Sequence, residues 1–343
     1  MKRLVELVAE IGGLRAGVLG DLMLDRYIWG KADRISPEAP VPIIEVSRCS
    51  AVPGGAANVL RNIVGLNAEA HAFGCLGADP EGQELLALLQ QCQTVTEGII
   101  VDGTRPTTVK TRVLAANQQV LRIDQESKEN FKKEIRVQLL EKLRQALAKN
   151  AIGALILEDY AKGLFDQQFM QDACDLAREA GCIVCLDPHS SHNFCVQGLK
   201  LMTPNRSEAF SLAGRPLQEA HNDPLQDEAL REVGARILRQ WQPELLLITL
   251  GAQGMALFKD EALPPLHIAT QARQVFDVSG AGDTVMACMA LALLAGANAE
   301  EAARLSNAAA GVVVGYLGTT AIDAETLRRK ILESRSTGSN ATP

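Results

Sequence analysis

The sequence Asp277-Val278-Ser279-Gly280-Ala281-Gly282-Asp283-Thr284 decides how the rest of this chain is interpreted. Gln274–Phe276 before it has the composition of a short strand, and Val285–Leu294 after it is an apolar run of helical length. This order predicts a glycine-rich turn that opens a buried helix. Backbone N–H groups at a helix start have no partner within the helix and lie at the positive end of its dipole. The turn therefore predicts a site for an anion, most often a phosphate.

The glycines and the aspartate of this turn suggest different tasks. Gly280 and Gly282 allow the backbone to approach a bound anion closely. Asp283 is unexpected beside an anion, because a carboxylate repels an anion. Its presence at this turn therefore suggests that the side chain has another purpose. One such purpose is to accept a proton from a hydroxyl group that then attacks a phosphate. The alternative is an ordinary glycine-rich turn whose aspartate only caps the helix.

Composition limits the class of protein. The chain has 343 residues, 47% of them hydrophobic, which allows one large α/β domain or two smaller ones. A net charge of −7, no basic stripe and 4% aromatic residues argue against nucleic acid as a partner. The longest apolar run, Val285–Ala297, is too short to span a bilayer, and glutamates interrupt the apolar N-terminal segment. We therefore expect a cytoplasmic protein with no membrane partner.

Strand-like and helix-like segments alternate along most of the chain. Apolar runs of strand length include Leu14–Gly20, Glu69–Gly77, Ile152–Leu157, Cys182–Leu186 and Leu245–Thr249. Alternation of this kind predicts a mostly parallel sheet covered by helices on both faces, a three-layer α/β/α core. We expect one domain over residues 1–333 and a disordered polar tail over 334–343. The chain lacks the G-x-x-x-x-G-K-[ST] phosphate loop, and no G-x-G-x-x-G follows the first strand.

A second, smaller sheet is predicted by segments with a two-residue period. Thr107–Leu114 and Gln119–Asp124 alternate in this way, with Asn117 in the turn between them, so they predict a hairpin. Val41–Val46 reads as a further strand, and Pro42 places it at an edge. We expect these strands to form a small β lid inserted into the core at about 29–50 and 97–124.

Polar residues near the first strand and the first glycine pair predict a site for a polyol. Asp25 follows the first strand, and the carboxyl ends of parallel strands are where open α/β sheets bind ligands. Gly54 and Gly55 open a second helix, with Asn58 in its first turn. The alternative for Asp25 is a place in a solvated loop.

Taken together, these stretches resemble the ribokinase / phosphofructokinase-B family of sugar kinases. The matches are Pro53–Asn58, Thr203–Glu208, Thr249–Gly254 and Asp277–Asp283, in the family's order. The resemblance covers nearly everything from Leu14 to about Leu327. It implies a ribokinase-like fold, a phosphotransferase activity, and ATP and Mg²⁺ as cofactors, with K⁺ as a further candidate.

The resemblance also implies roles for individual residues. Asp283 would be the base, and Gly280, Ala281 and Gly282 would hold the charge that develops on the transferred phosphoryl group. Asn205 and Glu208 would hold Mg²⁺ through water, although a helix cap explains them equally, and Asp277 would help to place a monovalent cation. The nucleotide would contact Asn205, Arg206, Ser207, Glu208, Thr249, Gly251, Gly254 and Asn307. The sugar would contact Asp25, Gly54, Gly55, Asn58 and Asp159.

Within this family, the chain most resembles the stand-alone form of the kinases that act on D-glycero-β-D-manno-heptose 7-phosphate. This rests on Gly20–Arg26, Arg34–Pro42, Gln118–Arg122, Asp159–Gly163 and Asn307–Thr319. It implies phosphorylation of the anomeric hydroxyl, in the synthesis of ADP-heptose for lipopolysaccharide. Candidates for the distal phosphate are Arg34, Lys110, Arg112, Arg122 and Lys162, because arginine and lysine bind phosphate oxygens; the alternative is that they are solvated charges.

Three features keep other functions open. His189, Glu158 and Thr249–Gly251 depart from the pattern expected of the heptose kinases, around the expected nucleotide and sugar sites. A kinase of the same family for another sugar or sugar phosphate is therefore an alternative. A sugar- or nucleotide-binding regulator without activity is a second one, because a fold does not fix function. The open edges of the lid also predict a homodimer in which two lids pair.

Overall fold

The computed structural model describes residues 2–115, 118–272 and 275–338. The strands are β1 (Arg15–Gly20), β2 (Leu22–Ile35), β3 (Pro42–Gly55), β4 (Glu69–Gly77), β5 (Val95–Asp102), β6 (Thr108–Ala115), β7 (Gln118–Gln125), β8 (Ala154–Glu158), β9 (Ile183–Asp187), β10 (Leu201–Met202), β11 (Leu245–Thr249), β12 (Met255–Phe258) and β13 (Leu266–Ile268). The helices are α1 (Lys2–Ile11), α2 (Ala56–Gly65), α3 (Pro80–Gln91), α4 (Lys133–Ala148), α5 (Gln167–Glu179), α6 (Arg206–Leu212), α7 (Glu228–Trp241), α8 (Ala281–Leu294), α9 (Ala299–Val313) and α10 (Ala324–Gly338).

The main sheet has the strand order β13-β12-β11-β10-β9-β8-β1-β4-β5. Its strands are parallel except at the β11–β12 and β12–β13 pairs, which are antiparallel. The central strand β8, Ala-Leu-Ile-Leu-Glu, is buried along its whole length, as expected of a parallel strand covered on both faces. One apolar cluster packs α1, α2, α8 and α9 on one face, and a second packs α4, α5 and α7 on the other. The predicted three-layer core is therefore present.

The strand order reverses direction at β1 and β8. From β1 the chain continues through β4 to β5 on one side, and it then returns to build β8, β9, β10 and β11 on the other side. The carboxyl ends of neighbouring strands separate at such a reversal, and the crevice between them is where open α/β sheets bind ligands. Helices α2 and α8 begin at this same end of the sheet and pack against each other.

The smaller sheet has the order β3-β2-β6-β7. It contains the predicted hairpin, β6 and β7, whose predicted turn residue Asn117 lies outside the described residues. The predicted boundaries of the lid need correction, because Val95–Asp102 pairs with β4 in the main sheet and β2 already begins at Leu22. β1 and β2 are separated only by Asp21, so the lid is a direct extension of the core strand.

Two further local predictions differ from the structure. Val275 and Phe276 form no strand before the glycine-rich turn; instead the N–H of Phe276 donates to the carbonyl of Val314. Gln274 lies outside the described residues. Helix α10 continues to Gly338, so the predicted disordered tail is helical over 334–338, and 339–343 are not described. In the part of the chain that is described, no helix combines the length and the apolar character needed to cross a bilayer.

Candidate active site

Asp283 lies in the first turn of α8 and is 6% exposed. One carboxylate oxygen accepts a hydrogen bond from Asn58 Nδ2 at 2.7 Å, and the other accepts one from the Tyr160 hydroxyl at 2.6 Å. Burial raises the pKa of Asp283, and these two hydrogen bonds act in the opposite direction. Both partners are neutral, so the carboxylate is held in one orientation without being neutralised by a cation.

The turn before α8 presents free backbone donors. Within the described residues, the N–H groups of Gly280 and Gly282 have no acceptor, whereas that of Ala281 donates to the carbonyl of Val278 at 3.2 Å. The predicted role of the three amides stays a prediction, and those of Gly280 and Gly282 are the two without an acceptor in the described residues. Gly280 has φ 77°, and a Cβ there would lie 2.6 Å from Asn58 Nδ2, so only glycine fits.

Asp277 fixes the position of this turn. Its Oδ1 accepts from the N–H of Ser279 at 2.9 Å, and its Oδ2 accepts from the N–H of Gly318 at 3.0 Å. The carboxylate thus connects the turn to the loop that follows α9. The structure assigns Asp277 this positioning contact, and its predicted role toward a monovalent cation stays a prediction.

A cavity of about 740 Å³ opens beside the start of α8. Its polar lining contains most of the residues predicted for a nucleotide: Asn205, Arg206, Ser207, Thr249, Gly251, Gly254 and Asn307, together with Ala281 and Gly282. Its other walls are mainly apolar, formed by residues such as Val275, Val278, Val285, Ala310 and Val314. An apolar chamber that leads to free helix N–H groups suits a flat aromatic base joined to phosphates.

Asn205 and Glu208 form a reciprocal cap at the start of α6. Asn205 Oδ1 accepts from the N–H of Glu208 at 3.0 Å, and Glu208 Oε2 accepts from the N–H of Asn205 at 2.8 Å. The helix cap, which was the alternative to a Mg²⁺ role for these two residues, is therefore present. Glu208 is not among the residues that line the cavity. Arg206 does line it, and its guanidinium forms an ion pair with Asp227 at 2.9 Å. Asn307 Nδ2 donates to the carbonyl of Ala269 at 2.8 Å.

Asp25 lies on β2 on the lid side of the site and is 4% exposed. Its Oδ1 accepts from Arg112 at 2.7 Å, and its Oδ2 accepts from the Thr319 hydroxyl at 2.9 Å. Gly54 is required by this arrangement, because a Cβ there would lie 2.6 Å from the Asp25 carboxylate. Gly55 has φ 54° directly before α2 and brings Asn58 to Asp283.

The loop after β8 carries Asp159, Tyr160 and Lys162. Asp159 Oδ2 lies 2.6 Å from His192 Nδ1, and this contact raises the pKa of His192. Asp21 holds the loop, since one of its oxygens accepts from the N–H groups of Tyr160 and Lys162. Burial raises the pKa of Asp21 to about 6. The loop is therefore fixed by buried carboxylates, and Tyr160 is thereby directed at Asp283.

The five basic candidates fall into different environments. Lys110 is partly buried, its Nζ lies 5.6 Å from the centre of the Tyr160 ring, and it forms no ion pair within the described residues. Arg112 is paired with Asp25, and Lys162 Nζ lies 2.6 Å from Glu126. Arg34 and Arg122 are exposed on the lid, where Arg122 binds Asp124 through two nitrogens.

Tyr160, Thr319 and Asp187 belong to this site but were not predicted as site residues. The first two lie inside stretches that carry the family resemblance, Asp159–Gly163 and Asn307–Thr319, so the sequence contained a signal for them. Asp187 ends β9 and lies near Asp283 and Glu158, which ends β8. The only sign in the sequence that Asp187 belongs to the site was its position at the carboxyl end of a predicted strand.

The comparison that decides the family covers most of this fold. Residues 16–327 match the pfkB family of carbohydrate kinases. The chain belongs to that family. It is therefore a phosphotransferase whose acceptor is the hydroxyl group of a carbohydrate. This finding disfavours the alternative that the chain is a sugar- or nucleotide-binding regulator without activity. The chain is 39% identical over 324 residues to the bifunctional protein HldE of Desulfatibacillum aliphaticivorans and 43% identical over 326 residues to that of Yersinia pestis (strain Pestoides F).

These alignments cover 94% of the kinase chain but only 64% and 65% of the two curated relatives. Among solved structures, an Arabidopsis thaliana ribokinase complexed with ribose and ATP matches 93% of the chain and 99% of its own length, with 21% identity and a TM-score of 0.69. Phosphofructokinase-2 from Escherichia coli, in complex with substrates and products, matches 94% and 99%, with 19% identity and a TM-score of 0.73. These likenesses confirm the predicted ribokinase-like fold.

Proposed function

We propose that this kinase transfers the γ-phosphoryl group of ATP to the anomeric hydroxyl of D-glycero-β-D-manno-heptose 7-phosphate. The product is the 1,7-bisphosphate, an intermediate for ADP-heptose and lipopolysaccharide. Two lines support the proposal: the identity of 39–43% to proteins named HldE, and a cation beside the candidate active site, Lys110, that forms no ion pair within the described residues. The second observation carries the choice of a phosphorylated sugar as the acceptor, because a kinase for a neutral sugar has no need of such a cation.

In this proposal, Asp283 is the base. It accepts the proton of the anomeric hydroxyl, the oxygen forms a bond to the γ-phosphorus, and the bond from that phosphorus to the oxygen of ADP breaks. The free N–H groups of Gly280 and Gly282 hold the negative charge that the phosphoryl oxygens carry during transfer. Asn58 and Tyr160 keep the carboxylate oriented toward the acceptor.

Asn205 and Glu208 fit a water-mediated role toward Mg²⁺. Each has one side-chain atom engaged in the cap, which leaves Glu208 Oε1 and Asn205 Nδ2. Because an amide nitrogen does not ligate Mg²⁺, this pair suits a hydrated ion better than a fully coordinated one. When bound, Mg²⁺ neutralises charge on the triphosphate. We propose that the nucleotide occupies the 740 Å³ cavity and that K⁺ is a further candidate beside Asp277.

Lys110 is the best candidate for the distal phosphate of the sugar. It pairs in register with Asp25 across β2 and β6, so both side chains lie on one face of the lid. Desolvation and the neighbouring Lys162 lower the pKa of Lys110, while Asp25 and Glu126 act in the opposite direction; no carboxylate within the described residues forms an ion pair with it as a partner. A phosphate dianion would provide that partner. We therefore assign the distal phosphate to Lys110, assisted by Arg112 and Lys162, and leave out the exposed Arg34 and Arg122.

Replacement of Lys110 by methionine tests this assignment. We expect the KM for heptose 7-phosphate to rise about 10- to 100-fold, since a hydrogen bond to a charged group is worth about 1.5–3 kcal/mol. The KM for ATP stays unchanged. Arg122→Met is the matched control, because it removes an exposed lid cation that is already paired with Asp124. An unchanged KM for the sugar phosphate in Lys110→Met would place the distal phosphate elsewhere.

We also propose that two copies of the chain associate through their lids. Every residue of the edge strand β7 is exposed, including Val120, Leu121 and Ile123. On the other edge of the lid, Val46 is 54% exposed. An exposed, apolar strand edge favours pairing with another strand, and a second lid offers one.

A further inference from the structure

Two short segments join the lid hairpin, β6 and β7, to the core. Residues 103–107, the first lid segment, lead from β5 into β6, and residues 126–132, the second lid segment, lead from β7 into α4. The first segment is anchored, because Asp79 accepts from both the N–H and the hydroxyl of Thr107, each at 2.7 Å. Thr107 is only 2% exposed. Arg105, two positions earlier, therefore projects from a turn that is fixed to the core.

The Arg105 guanidinium connects this turn to two other parts of the protein. Its Nη2 donates to the carbonyl of Lys162 at 2.7 Å and to that of Ser127 at 3.0 Å, and its Nη1 donates to the carbonyl of Glu129 at 3.2 Å. Its central carbon lies 3.5 Å from the centre of the Phe131 ring. Lys162 belongs to the loop after β8, and the other three residues belong to the second lid segment. One side chain therefore joins both lid segments to the loop.

These contacts use the shape of arginine as well as its charge. In the part of the chain that the structure describes, Arg105 forms no ion pair, and its three hydrogen bonds go to backbone carbonyls. Desolvation lowers the pKa of Arg105, so burying this charged group has a cost that the hydrogen bonds offset. A planar guanidinium reaches several acceptors in fixed directions, whereas the ammonium of lysine is a single point on a flexible stem.

Backbone contacts hold the second lid segment against the same loop. The N–H of Phe131 donates to the carbonyl of Gly163 at 3.0 Å. Gly163 has φ 88°, and a Cβ there would clash with the carbonyl oxygen of Glu129, so no side chain fits between the two backbones. A movement of the second lid segment would therefore displace the loop after β8.

This loop sets the position of the Tyr160 hydroxyl. Tyr160 lies two positions before Lys162, whose carbonyl Arg105 holds. The Tyr160 hydroxyl donates to Asp283 at 2.6 Å, and its backbone N–H donates to Asp21 at 2.9 Å. Because only two peptide units separate the Lys162 carbonyl from Tyr160, a shift of that carbonyl also moves the phenol that orients Asp283.

We propose that Arg105 is a positioning residue that couples the lid to the catalytic base. With its guanidinium in place, the two lid segments and the loop after β8 move as one unit, and the Tyr160 hydroxyl stays on Asp283. Without it, the hairpin and the loop move independently, and the base loses its fixed orientation. This role of Arg105 rests on the proposed role of Asp283 as the base, but not on which sugar is the acceptor.

Hydrogen exchange of the protein without substrates tests the coupling and requires no activity. In Arg105→Met, the amides of Phe131, Tyr160 and Lys162 should exchange about 10-fold faster or more, because three hydrogen bonds from a charged donor are lost. Arg144→Met is the matched control, since that exposed arginine forms its ion pair within α4, and it should exchange as the wild type does. Unchanged exchange in Arg105→Met would overturn the proposal. Arg105→Lys serves if the methionine variant does not fold, and its amides should change in the same direction.

The pH dependence of kcat/KM shows whether the coupling reaches the base. Burial raises the pKa of Asp283, and the hydrogen bond from Tyr160 acts against it, so a displaced Tyr160 should raise this pKa further. The base acts deprotonated, so the acid limb should move to higher pH in Arg105→Met, as in Tyr160→Phe, and kcat should fall about 10- to 100-fold. In the double variant the limb should move no further than in Tyr160→Phe alone.

Two results of this assay would overturn the proposal. An acid limb that stays in place in Arg105→Met would mean that Arg105 only stabilises the fold. Shifts that add in the double variant would mean that Arg105 acts by a route other than Tyr160. The assay uses the acceptor that the wild type phosphorylates best, so it does not depend on the heptose assignment. Failure of the proposed base has a different signature, because Asp283→Asn would then keep wild-type kcat whatever Arg105→Met does to hydrogen exchange.

Discussion

Replacement of Asp283 by asparagine should abolish most of the turnover and leave the fold intact. Asparagine keeps the shape of the side chain. Its Oδ1 can accept from Asn58 Nδ2, and its Nδ2 can donate to the hydroxyl oxygen of Tyr160, so both contacts keep a hydrogen bond, although the Tyr160 O–H loses its carboxylate acceptor. The variant also removes one negative charge from the cluster with Glu158 and Asp187. We therefore expect a Tm equal to or above that of the wild type.

The expected loss of activity follows from the role of the base. General base catalysis contributes about 10²- to 10⁴-fold, and an amide cannot accept the proton of the acceptor hydroxyl. The assay is kcat at saturating ATP and sugar phosphate, with calorimetry for ATP affinity, which should be unchanged. Asp33→Asn, at an exposed lid position, is the control and should keep wild-type kcat. If Asp283→Asn also kept wild-type kcat, Asp283 could not be the base.

Two further predictions concern Tyr160 and the lid. The hydrogen bond from Tyr160 lowers the pKa of Asp283, so Tyr160→Phe should raise that pKa. Because the base acts deprotonated, the acid limb of kcat/KM against pH should move to higher pH; an unmoved limb would contradict this. For the lid, sedimentation at micromolar concentration should show a dimer for the wild type and a monomer for Leu121→Lys, whose side chain is 53% exposed on β7. A monomeric wild type would count against pairing of the lids.

Much of the core could be predicted because its determinants are local. A buried parallel strand such as β8 is an apolar run, and a glycine-rich turn before a long apolar segment marks the start of α8. The lid was harder to delimit. Part of β2 is exposed and includes Lys31 and Arg34, so its pattern does not resemble that of a core strand. Val95–Asp102 is only partly buried at the edge of the main sheet, and its sequence alone does not reveal which sheet it joins.

The site shows the same division between local and distant determinants. Asp283, Gly280 and Gly282 belong to one short motif, so their proximity follows from the sequence. Tyr160 reaches Asp283 from 123 positions earlier in the chain, through a loop held by Asp21. The sequence could not rank the basic lid residues as phosphate ligands. Their ability to bind a phosphate depends on which face of the strand they occupy and on whether they already form an ion pair with a carboxylate. Only the structure shows that Arg112 forms an ion pair with a carboxylate and that Lys110 forms none in the described chain.

The acceptor of the phosphoryl group tests the central proposal most directly. The purified kinase is incubated with ATP, Mg²⁺ and one acceptor at a time: heptose 7-phosphate, the unphosphorylated heptose, ribose or fructose. Phosphorus NMR identifies the product, and coupled detection of ADP gives kcat/KM. We predict efficient turnover of heptose 7-phosphate alone, with a new phosphate at the anomeric carbon. Turnover of the unphosphorylated heptose, ribose or fructose as well as the 7-phosphate would contradict the heptose-phosphate assignment. Only the general assignment as a sugar kinase would then remain.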